Sequence, residues 1–549
     1  MRGPAWNDRA ADTHSGRAVD QALRGRLGGT VATWGAAQPH SQLAPPQQSM
    51  PVAAKASEPA TPFNKSRATS KTRSPITTLA CAGSRQTASR HAPGVAGHGP
   101  VCDNGRMSNE RDFVLHSWCV PGDWDAPTVV GGRGARLILE DGREILDMSS
   151  LVECSNLGHQ HPKLVAALKA QAEKLAFVTA AWGAESRRAL AERLLEVAGF
   201  EGGRVFFTLG GGDANENAVR IARHASKKPR GLIVTRDRSY HGATYMPMAL
   251  SGDARTAHQV DAEAWGVRHV PPPYAYRCPW NTRTADECGR RAAQAVADAI
   301  DGEGADRVAL VLMEVNAGSN GIVPPDSFWP ELRRVTRERG VLLSADEVMS
   351  GFGRCGDWFA WQRHGRENRP DLMTVAKGLT GAAAPLGAVV LSPEVYARIE
   401  HEMFYGGLTY CGHPLSCAAG VAAIDAYRDE NLVERSRRLG AAMFAELQKL
   451  AARHDVIGDV RGGHGLFAVV ELVADRATKA PIMPWPGQGE AIKALLAAAK
   501  DEGVSFGSRG NLLILAPPLV IAESELAAAL GLLDRLLARH FPATLERAS

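Results

Sequence analysis

Residues 206–216 read FFTLGGGDANE, an apolar run followed by three glycines and the start of an amphipathic segment. The run predicts the end of a buried strand, and the glycines predict a tight turn. A helix should follow, because Ala214, Ala218, Ile221 and Ala222 recur at the spacing of one helix face. Backbone amides at a helix N-terminus attract anions, and glycine lets a ligand approach them closely. The stretch therefore predicts a strand, a turn and a helix suited to a phosphate, although such turns also occur without a ligand.

Short apolar runs without polar alternation recur on both sides of this stretch. They cover residues 205–209, 231–235, 308–315, 341–345, 372–375 and 386–391. Continuous runs of this length are typical of strands that are buried on both faces. Segments of helical length, such as 327–339, lie between several of them. The alternation predicts an α/β fold with a mostly parallel sheet covered by helices.

The character of the sequence changes along the chain and suggests domain boundaries. Residues 1–106 lack sustained apolar periodicity, so we expect a disordered extension. It is either an over-extended reading frame, with the working protein starting near Met107, or a targeting segment. We assign residues 201–408 to a large domain. A smaller α+β domain combines residues 107–200 with residues 409–549, which begin with an interdomain helix.

The composition excludes several classes of protein. The 549 residues are 44% apolar and 22% charged, as in a globular protein, and no apolar run approaches the roughly 18 residues of a membrane helix. Residues 1–106 hold 13 basic and 5 acidic side chains, whereas the remainder has a net charge of −4. A mildly acidic body gives no basis for a nucleic-acid surface. Nine cysteines without a CxxC pair favour reduced thiols over a disulfide scaffold. We therefore expect a cytoplasmic protein without nucleic-acid or membrane partners.

Two further positions carry residues suited to chemistry. Asp346 ends the apolar run 341–345, at the edge of the sheet where open α/β proteins bind ligands. A carboxylate there needs a cationic or protonated partner, although it can also cap the next segment. Lys377 has no other charged residue between Asp371 and Glu394. We expect a desolvated amine with a depressed pKa that can act as a nucleophile, the alternative being a surface lysine.

Together these three features suit pyridoxal phosphate. A glycine turn would hold the phosphate, and the lysine would bond the aldehyde as a Schiff base. The carboxylate of Asp346 would keep the pyridine nitrogen protonated, so that the ring withdraws electrons. Once released, the amine of Lys377 would move a proton on the substrate.

Residues about 110–540 resemble the class III aminotransferases, which are fold type I pyridoxal-phosphate enzymes, and are most similar to the taurine–pyruvate and ω-amino acid–pyruvate members. The strongest match is ADEVMSGFGRCGDWFAWQ…PDLMTVAKGLTGAAAPLGAVV, within residues 344–390. Further matches are SYHG (239–242), LTYCGHPLSCAA (408–419), NLGHQHP (156–162) and APPL (516–519). The resemblance implies a large cofactor-binding domain, a smaller α+β domain and a homodimer as the minimal active unit.

The resemblance also implies roles for individual residues. Lys377 corresponds to the Schiff-base lysine and Asp346 to the partner of the pyridine nitrogen. Tyr240 corresponds to the residue that stacks on the ring, with His241 and Gly242 beside it. Further cofactor contacts are implied for Gly211, Gly212, Glu314, Val348 and, across the dimer interface, Thr409 of the partner subunit.

The substrate side carries fewer implied residues. Trp118 would line the substrate pocket, and Arg509 would bind the carboxylate of the keto acid. Gly507 falls at the position that some amine transaminases use instead. Met349 stands where relatives that use 2-oxoglutarate often carry glutamine. We expect Arg354, in the sequence GFGR, to form a structural ion pair.

The sequence departs from the family in the phosphate turn, and it offers no metal site. The usual Asn-Ser-Gly-Ser is replaced by Leu-Gly-Gly-Gly at residues 209–212, so only backbone amides remain. His159 and His161 lie two residues apart, but no carboxylate or cysteine spacing completes a metal site. We therefore expect no metal.

The function predicted from these residues is a pyridoxal-phosphate-dependent transamination. An ω-amino acid or primary amine, of the taurine or β-alanine type, would donate its amino group to a small keto acid such as pyruvate. An aminomutase or a decarboxylating relative is the alternative. A non-catalytic binding protein is disfavoured by the intact Lys377 and Asp346, and a dinucleotide-dependent oxidoreductase by the incomplete GxGxxG pattern.

Overall fold

The computed structural model describes residues 110–487 and 489–542, so the predicted extension 1–106 lies outside the described residues. Sixteen strands occur in the described part of the chain. They are β1 (Val129–Arg133), β2 (Arg136–Leu139), β3 (Glu144–Asp147), β4 (Arg204–Thr208), β5 (Leu232–Arg236), β6 (Val267–Val270), β7 (Val308–Glu314), β8 (Leu342–Asp346), β9 (Leu372–Val375), β10 (Gly387–Leu391), β11 (Ile457–Gly462), β12 (Ala468–Asp475), β13 (Ala480–Pro481), β14 (Val504–Ser505), β15 (Gly507–Arg509) and β16 (Leu512–Leu515).

Eleven right-handed α-helices accompany these strands within the described residues. They are α1 (Pro162–Lys174), α2 (Glu185–Ala198), α3 (Gly211–Ala225), α4 (Tyr245–Leu250), α5 (Ala285–Glu303), α6 (Phe328–Glu338), α7 (Pro393–Ala397), α8 (Pro414–Asp429), α9 (Leu432–Arg453), α10 (Glu490–Asp501) and α11 (Glu523–His540). Short 3-10 helices cover Glu110–Asp112, Pro121–Asp123, Ala257–Gln259, Ala275–Arg277, Ala360–His364, Arg366–Asn368 and Lys377–Leu379. In the described part of the chain, no helix combines the length and apolar character needed to cross a membrane.

A seven-stranded sheet forms the centre of the fold, in the order β4-β10-β9-β8-β7-β5-β6. Strand β10 runs antiparallel to both of its neighbours, and the other pairs in the sheet are parallel. This confirms the predicted mostly parallel sheet, and each predicted apolar run forms one of its strands. The seventh strand, β6, was missed because Arg268 and His269 interrupt its apolar pattern.

Helices cover both faces of the central sheet. Along β7, Leu310 and Leu312 pack into the cluster that contains the apolar face of α3. The alternate residues Val311 and Met313 pack into the cluster that contains residues of α5 and α6. Burial on both faces explains why the strands are continuous apolar runs rather than alternating ones.

Two smaller sheets complete the body. The first has the order β1-β2-β3-β14, and β14 pairs with β3 in parallel, so strands from residues 129–147 and 504–505 share one sheet. The second has the order β11-β12-β16-β15. The domain boundaries at residues 200 and 408 stay predictions.

One turn of the backbone is left-handed and lies beside the central sheet. Ser150, Leu151, Val152 and Glu153 have φ values of 49°, 46°, 61° and 59°. Such backbone costs about 1–2 kcal/mol per residue for L-amino acids, so the surrounding structure must hold it. The Oγ of Ser150 contributes by donating to the carbonyl of Ala516 at 2.6 Å.

Arg354 also holds this turn, and the expected ion pair is wrong. Its buried guanidinium donates to the carbonyls of Leu466 and Pro517, at 2.8 and 2.6 Å. It also donates to Ser150 Oγ at 3.0 Å and to Asn156 Oδ1 at 2.7 Å. No carboxylate of the described residues lies within 4.0 Å of it. Its pKa is lowered by burial, and neutral oxygens rather than a countercharge accept from its two terminal nitrogens, while its buried Nε has no partner among the described residues.

We expect Arg354→Met to destabilise the fold, because it leaves several buried acceptors unpaired. At about 1–3 kcal/mol for each buried unpaired group, the free energy of unfolding should fall by about 3 kcal/mol or more. Urea denaturation followed by tryptophan fluorescence measures the change. Arg188→Met is the control, because Arg188 pairs with Glu192 at the surface, and its effect should stay below about 1 kcal/mol. Equal effects of the two substitutions would contradict this role of Arg354.

Candidate active site

Asp346 lies at the carboxyl end of β8 and is almost fully buried. Its Oδ2 accepts from the side-chain amide of Asn215 and from Nδ1 of His241, both at 2.7 Å. Its Oδ1 accepts from the backbone N–H of Val348 at 3.0 Å. Since a carboxylate only accepts, Nδ1 of His241 carries the hydrogen in this contact. The structure therefore supplies the donors that a buried carboxylate requires.

Asn215 is a functional residue that the sequence analysis missed. It lies in the first turns of α3 and is buried. Its amide nitrogen also donates to the carbonyl of His241 at 2.9 Å, and its Oδ1 accepts from Thr374 Oγ1 at 2.7 Å. The sequence did contain a signal for Asn215, because it is a polar residue next to Ala214 on the otherwise apolar face of this helix. Asn215 thus links the helix to the ends of β8 and β9.

The glycine turn forms a cradle lined by backbone. Helix α3 begins at Gly211, so the amides of Gly211 and Gly212 lie at its N-terminus. A Cβ on Gly211 would lie 2.8 Å from Cγ1 of Val348. A Cβ on Gly242 would lie 2.7 Å from the Cα of Gly212. A side chain at either position would fill the cradle, so the residues fit an anion held by backbone amides.

A cavity of about 270 Å³ joins the cradle to Asp346. Its lining includes most of the cofactor residues implied by the sequence: Gly211, Gly212, Tyr240, His241, Glu314, Asp346, Val348 and Lys377. Met349 and Asn215 line it as well. A phosphate cradle, a hydrogen-bonded carboxylate and an amine around one cavity form the donor set that pyridoxal phosphate requires.

Thr409 does not join these residues in its own chain. It is exposed, and it does not line this cavity. Its implied role was a contact with the phosphate of a partner subunit, which stays a prediction.

Glu314 forms a buried ion pair beside the cavity. Its Oε2 accepts from Arg236 at 2.6 Å, and both side chains are buried. Burial raises the pKa of Glu314, and the Arg236 guanidinium offsets part of this effect. The sequence analysis missed Arg236, although an arginine at the end of the apolar run GLIVTR was an available signal.

Lys377 follows β9 and reaches the cavity from a strained backbone, with φ of 41°. Its Nζ donates to the carbonyl of Val152 at 2.8 Å and lies 3.3 Å from Oε2 of Glu153. The expected depressed pKa is wrong here. Burial does lower the pKa of Lys377, but the Glu153 carboxylate, with Cys154, outweighs it and the pKa is raised. Glu153 is more than 200 residues away in sequence, so no local pattern revealed this pair.

A second cavity of about 540 Å³ adjoins the first, and Tyr240, Ser319 and Lys377 line both. Trp118 and Arg509 line it, as the resemblance implied, together with Glu153 and Arg255. The rings of Trp118 and Tyr240 meet edge to face, with centroids 6.1 Å apart.

The two arginines of this second cavity differ in their partners. The Nε of Arg255 donates to the buried Asp253 at 2.9 Å, so its charge is already paired. Arg509 donates to the carbonyl of Ser508 at 2.7 Å. Within residues 110–487 and 489–542, no carboxylate lies within 4.0 Å of Arg509. Arg509 is therefore available to an anionic group of a substrate.

Three other positions singled out from the sequence lie elsewhere. Gly507 pairs with Ile514 in a sheet and lines neither cavity. Nε2 of His159 lies 3.2 Å from Asp147, and Nε2 of His161 lies 3.1 Å from Glu430. The two histidines thus contact separate carboxylates instead of converging on one point.

Comparison with known proteins identifies the family. Residues 125–537 match the family model described as aminotransferase class-III. The taurine–pyruvate aminotransferase of Rhodobacter capsulatus is 34% identical, over 79% of this chain and 96% of its own length. The leucine/methionine racemase of Thermococcus litoralis is 33% identical, over 75% of this chain and 91% of its own length.

A solved structure agrees with these matches. The taurine:2-oxoglutarate aminotransferase of Bifidobacterium kashiwanohense, in complex with pyridoxal phosphate and glutamate, has a TM-score of 0.74 and 33% identity. The match covers 78% of this chain and 96% of that chain. The fold type I architecture expected from the sequence is thereby confirmed. The chain belongs to the class III aminotransferases and is an aminotransferase that depends on pyridoxal phosphate.

Proposed function

We propose that this aminotransferase moves an amino group from an ω-amino acid or primary amine to a small keto acid such as pyruvate. The observation that carries the proposal is the position of Lys377, whose amine lies where the cavity of Asp346 meets the cavity of Arg509. The taurine–pyruvate activity named for one relative supports a donor of the taurine or β-alanine type.

Each residue of the first cavity has a proposed task. Bound pyridoxal phosphate supplies a ring that withdraws electrons from the substrate carbon. The amides of Gly211 and Gly212 hold its phosphate, and Tyr240 packs against its ring. The Asp346 carboxylate keeps a proton at the pyridine nitrogen. The amine of Lys377 bonds the cofactor and, when free, moves a proton to or from the substrate.

The second cavity is proposed to receive the substrates. The guanidinium of Arg509 pairs with the carboxylate of the keto acid, because its planar donors match a carboxylate. Trp118 forms an apolar wall. Met349 offers no side-chain amide where relatives that use 2-oxoglutarate often carry glutamine, which favours pyruvate as the acceptor.

A cytoplasmic homodimer is the proposed assembly. Thr409 lies in an exposed segment with large apolar side chains, and Met403, Tyr405 and Tyr410 are 70%, 81% and 54% exposed. Apolar side chains at such exposure favour burial against a second protein surface. Thr409 of the partner subunit would then contact the cofactor phosphate.

Reactions of a single substrate are the alternative. An aminomutase or a decarboxylating enzyme would use the same cofactor cavity without a keto acid. The similarity to a leucine/methionine racemase, whose name denotes a reaction of one substrate, supports this alternative.

The proposed reaction can be tested with a panel of donors and acceptors. We expect holoenzyme to form alanine from pyruvate with taurine, β-alanine or 1-aminobutane, and to form less glutamate from 2-oxoglutarate. Chromatography of the amino-acid products measures both. Conversion of a donor without any keto acid would favour the single-substrate alternative, and no product with any donor would contradict transamination.

The phosphate cradle predicts a loss of cofactor affinity for Gly211→Ala. The added methyl would overlap Val348 Cγ1 and displace the Gly211 amide from the phosphate. Loss of one hydrogen bond to a charged group costs about 1.5–3 kcal/mol, or about tenfold or more in the cofactor Kd. Titration of apoenzyme with pyridoxal phosphate, followed by absorbance, measures the Kd. Gly210→Ala is the matched control, because its Cβ would have no described heavy atom within 4 Å. Equal Kd values for both variants would contradict the cradle.

A further inference from the structure

Glu153 brings an unexpected carboxylate into the substrate cavity. It ends the left-handed turn Ser150–Glu153, a backbone conformation unfavourable for L-residues. Arg354 and Ala516 hold the start of this turn through the hydroxyl of Ser150. Strained backbone persists where the surrounding contacts enforce it, and it is concentrated at functional sites. Here the enforced turn ends in a carboxylate that faces Lys377.

The carboxylate of Glu153 has one cation within ion-pair distance, Lys377, and the buried Arg354 interacts with it from farther away. Its side chain is 3% exposed, and its Oε2 lies 3.3 Å from Nζ of Lys377. No other cationic group of the described residues lies within 4.0 Å of it. A buried carboxylate without a cation is costly, so Glu153 depends on the Lys377 ammonium for its stability.

Lys377 is not a permanent partner of Glu153 in the proposed reaction. Its Nζ is bonded to the cofactor when an amine donor enters, and it becomes a free amine only after the donor has displaced it. The other cations of the cavity do not replace it, since Arg255 is paired with Asp253 and Arg509 is not within 4.0 Å of Glu153. A cationic group of the entering donor can therefore pair with the Glu153 carboxylate at this stage.

We propose that Glu153 selects amine donors that carry a second cationic group, such as diamines and diamino acids. This inference rests on the proposed transamination and, among its primary-amine donors, ranks diamines and diamino acids above the taurine and β-alanine type. One amino group would react, and the other would pair with the Glu153 carboxylate. Arg509 remains for the carboxylate of the keto acid. An anionic end group directed at Glu153 would be repelled, which disfavours that orientation of an ω-amino acid.

Three amines of four carbons test this selection, because they differ in the charge of the far end. These are 1,4-diaminobutane, 1-aminobutane and 4-aminobutanoate. Each is mixed alone with holoenzyme, and the absorbance of the cofactor measures how fast the cofactor takes up the amino group. We expect kcat/KM for the diamine to exceed that for 1-aminobutane by about tenfold or more, the value of a buried charge-assisted hydrogen bond.

The neutral variant Glu153→Gln should remove this preference. The ratio of kcat/KM for diamine over monoamine should fall by about tenfold, while 4-aminobutanoate should gain relative to both. Glu153→Asp keeps the charge and should retain part of the preference. Glu523→Gln, at an exposed position that pairs with Arg438, is the control and should leave the ratio unchanged.

A binding measurement separates selection from chemistry. The probe 1,4-bis(dimethylamino)butane carries two cationic amines but cannot bond to the cofactor, since both nitrogens are tertiary. Calorimetric titration of holoenzyme should show it binding about tenfold more weakly to Glu153→Gln than to the wild type.

The outcomes distinguish the two proposals. If 1-aminobutane reacts as well as 1,4-diaminobutane, or if Glu153→Gln keeps the wild-type ratio and affinity, Glu153 has only a structural role and this inference is overturned. The proposed transamination would still stand in that case. If none of the three amines nor taurine converts the cofactor, the proposed function fails first, and this inference fails with it.

Discussion

The buried carboxylate of Asp346 is the constraint on which the site depends. An ionised group at the end of a buried strand is stable only when fixed donors surround it. Those donors come from α3, from the segment after β5 and from Val348, two residues after the end of β8. Three separate parts of the chain are therefore held in one arrangement by one pair of oxygens.

This arrangement determines where the other groups must lie. Strand β9 runs beside β8 in parallel, with Thr374 opposite Asp346, so Lys377 begins at the same edge of the sheet. The N-terminus of α3 lies at this edge too, because Asn215 ties the helix to both strands. The carboxylate of Asp346, the backbone amides of Gly211 and the amine of Lys377 thus come together through sheet topology, at the places where the proposed function needs a ring nitrogen, a phosphate and a Schiff base.

Much of this could be predicted from sequence because the signals are local. Buried strands give apolar runs, and the turn before α3 gives consecutive glycines. Asp346 follows its run directly, and Lys377 lies two residues after the run 372–375. Asn215, Arg236 and Glu153 were missed because their roles depend on contacts between distant segments. The predicted direction of the Lys377 pKa shift was wrong for the same reason, because Glu153, on the left-handed turn, raises that pKa. Arg354 was expected to need a countercharge, but converging carbonyls replace one.

The central claim is that Lys377 carries the cofactor in the cavity bounded by Asp346. Sodium borohydride reduces the bond between a lysine amine and pyridoxal phosphate to a stable one, so the attachment point can be read by peptide mass spectrometry. We predict that reduced holoenzyme carries the pyridoxyl mass on the peptide that contains Lys377 and that Lys377→Ala carries none. A label on a different lysine, or no label on protein reconstituted with the cofactor, would contradict the account.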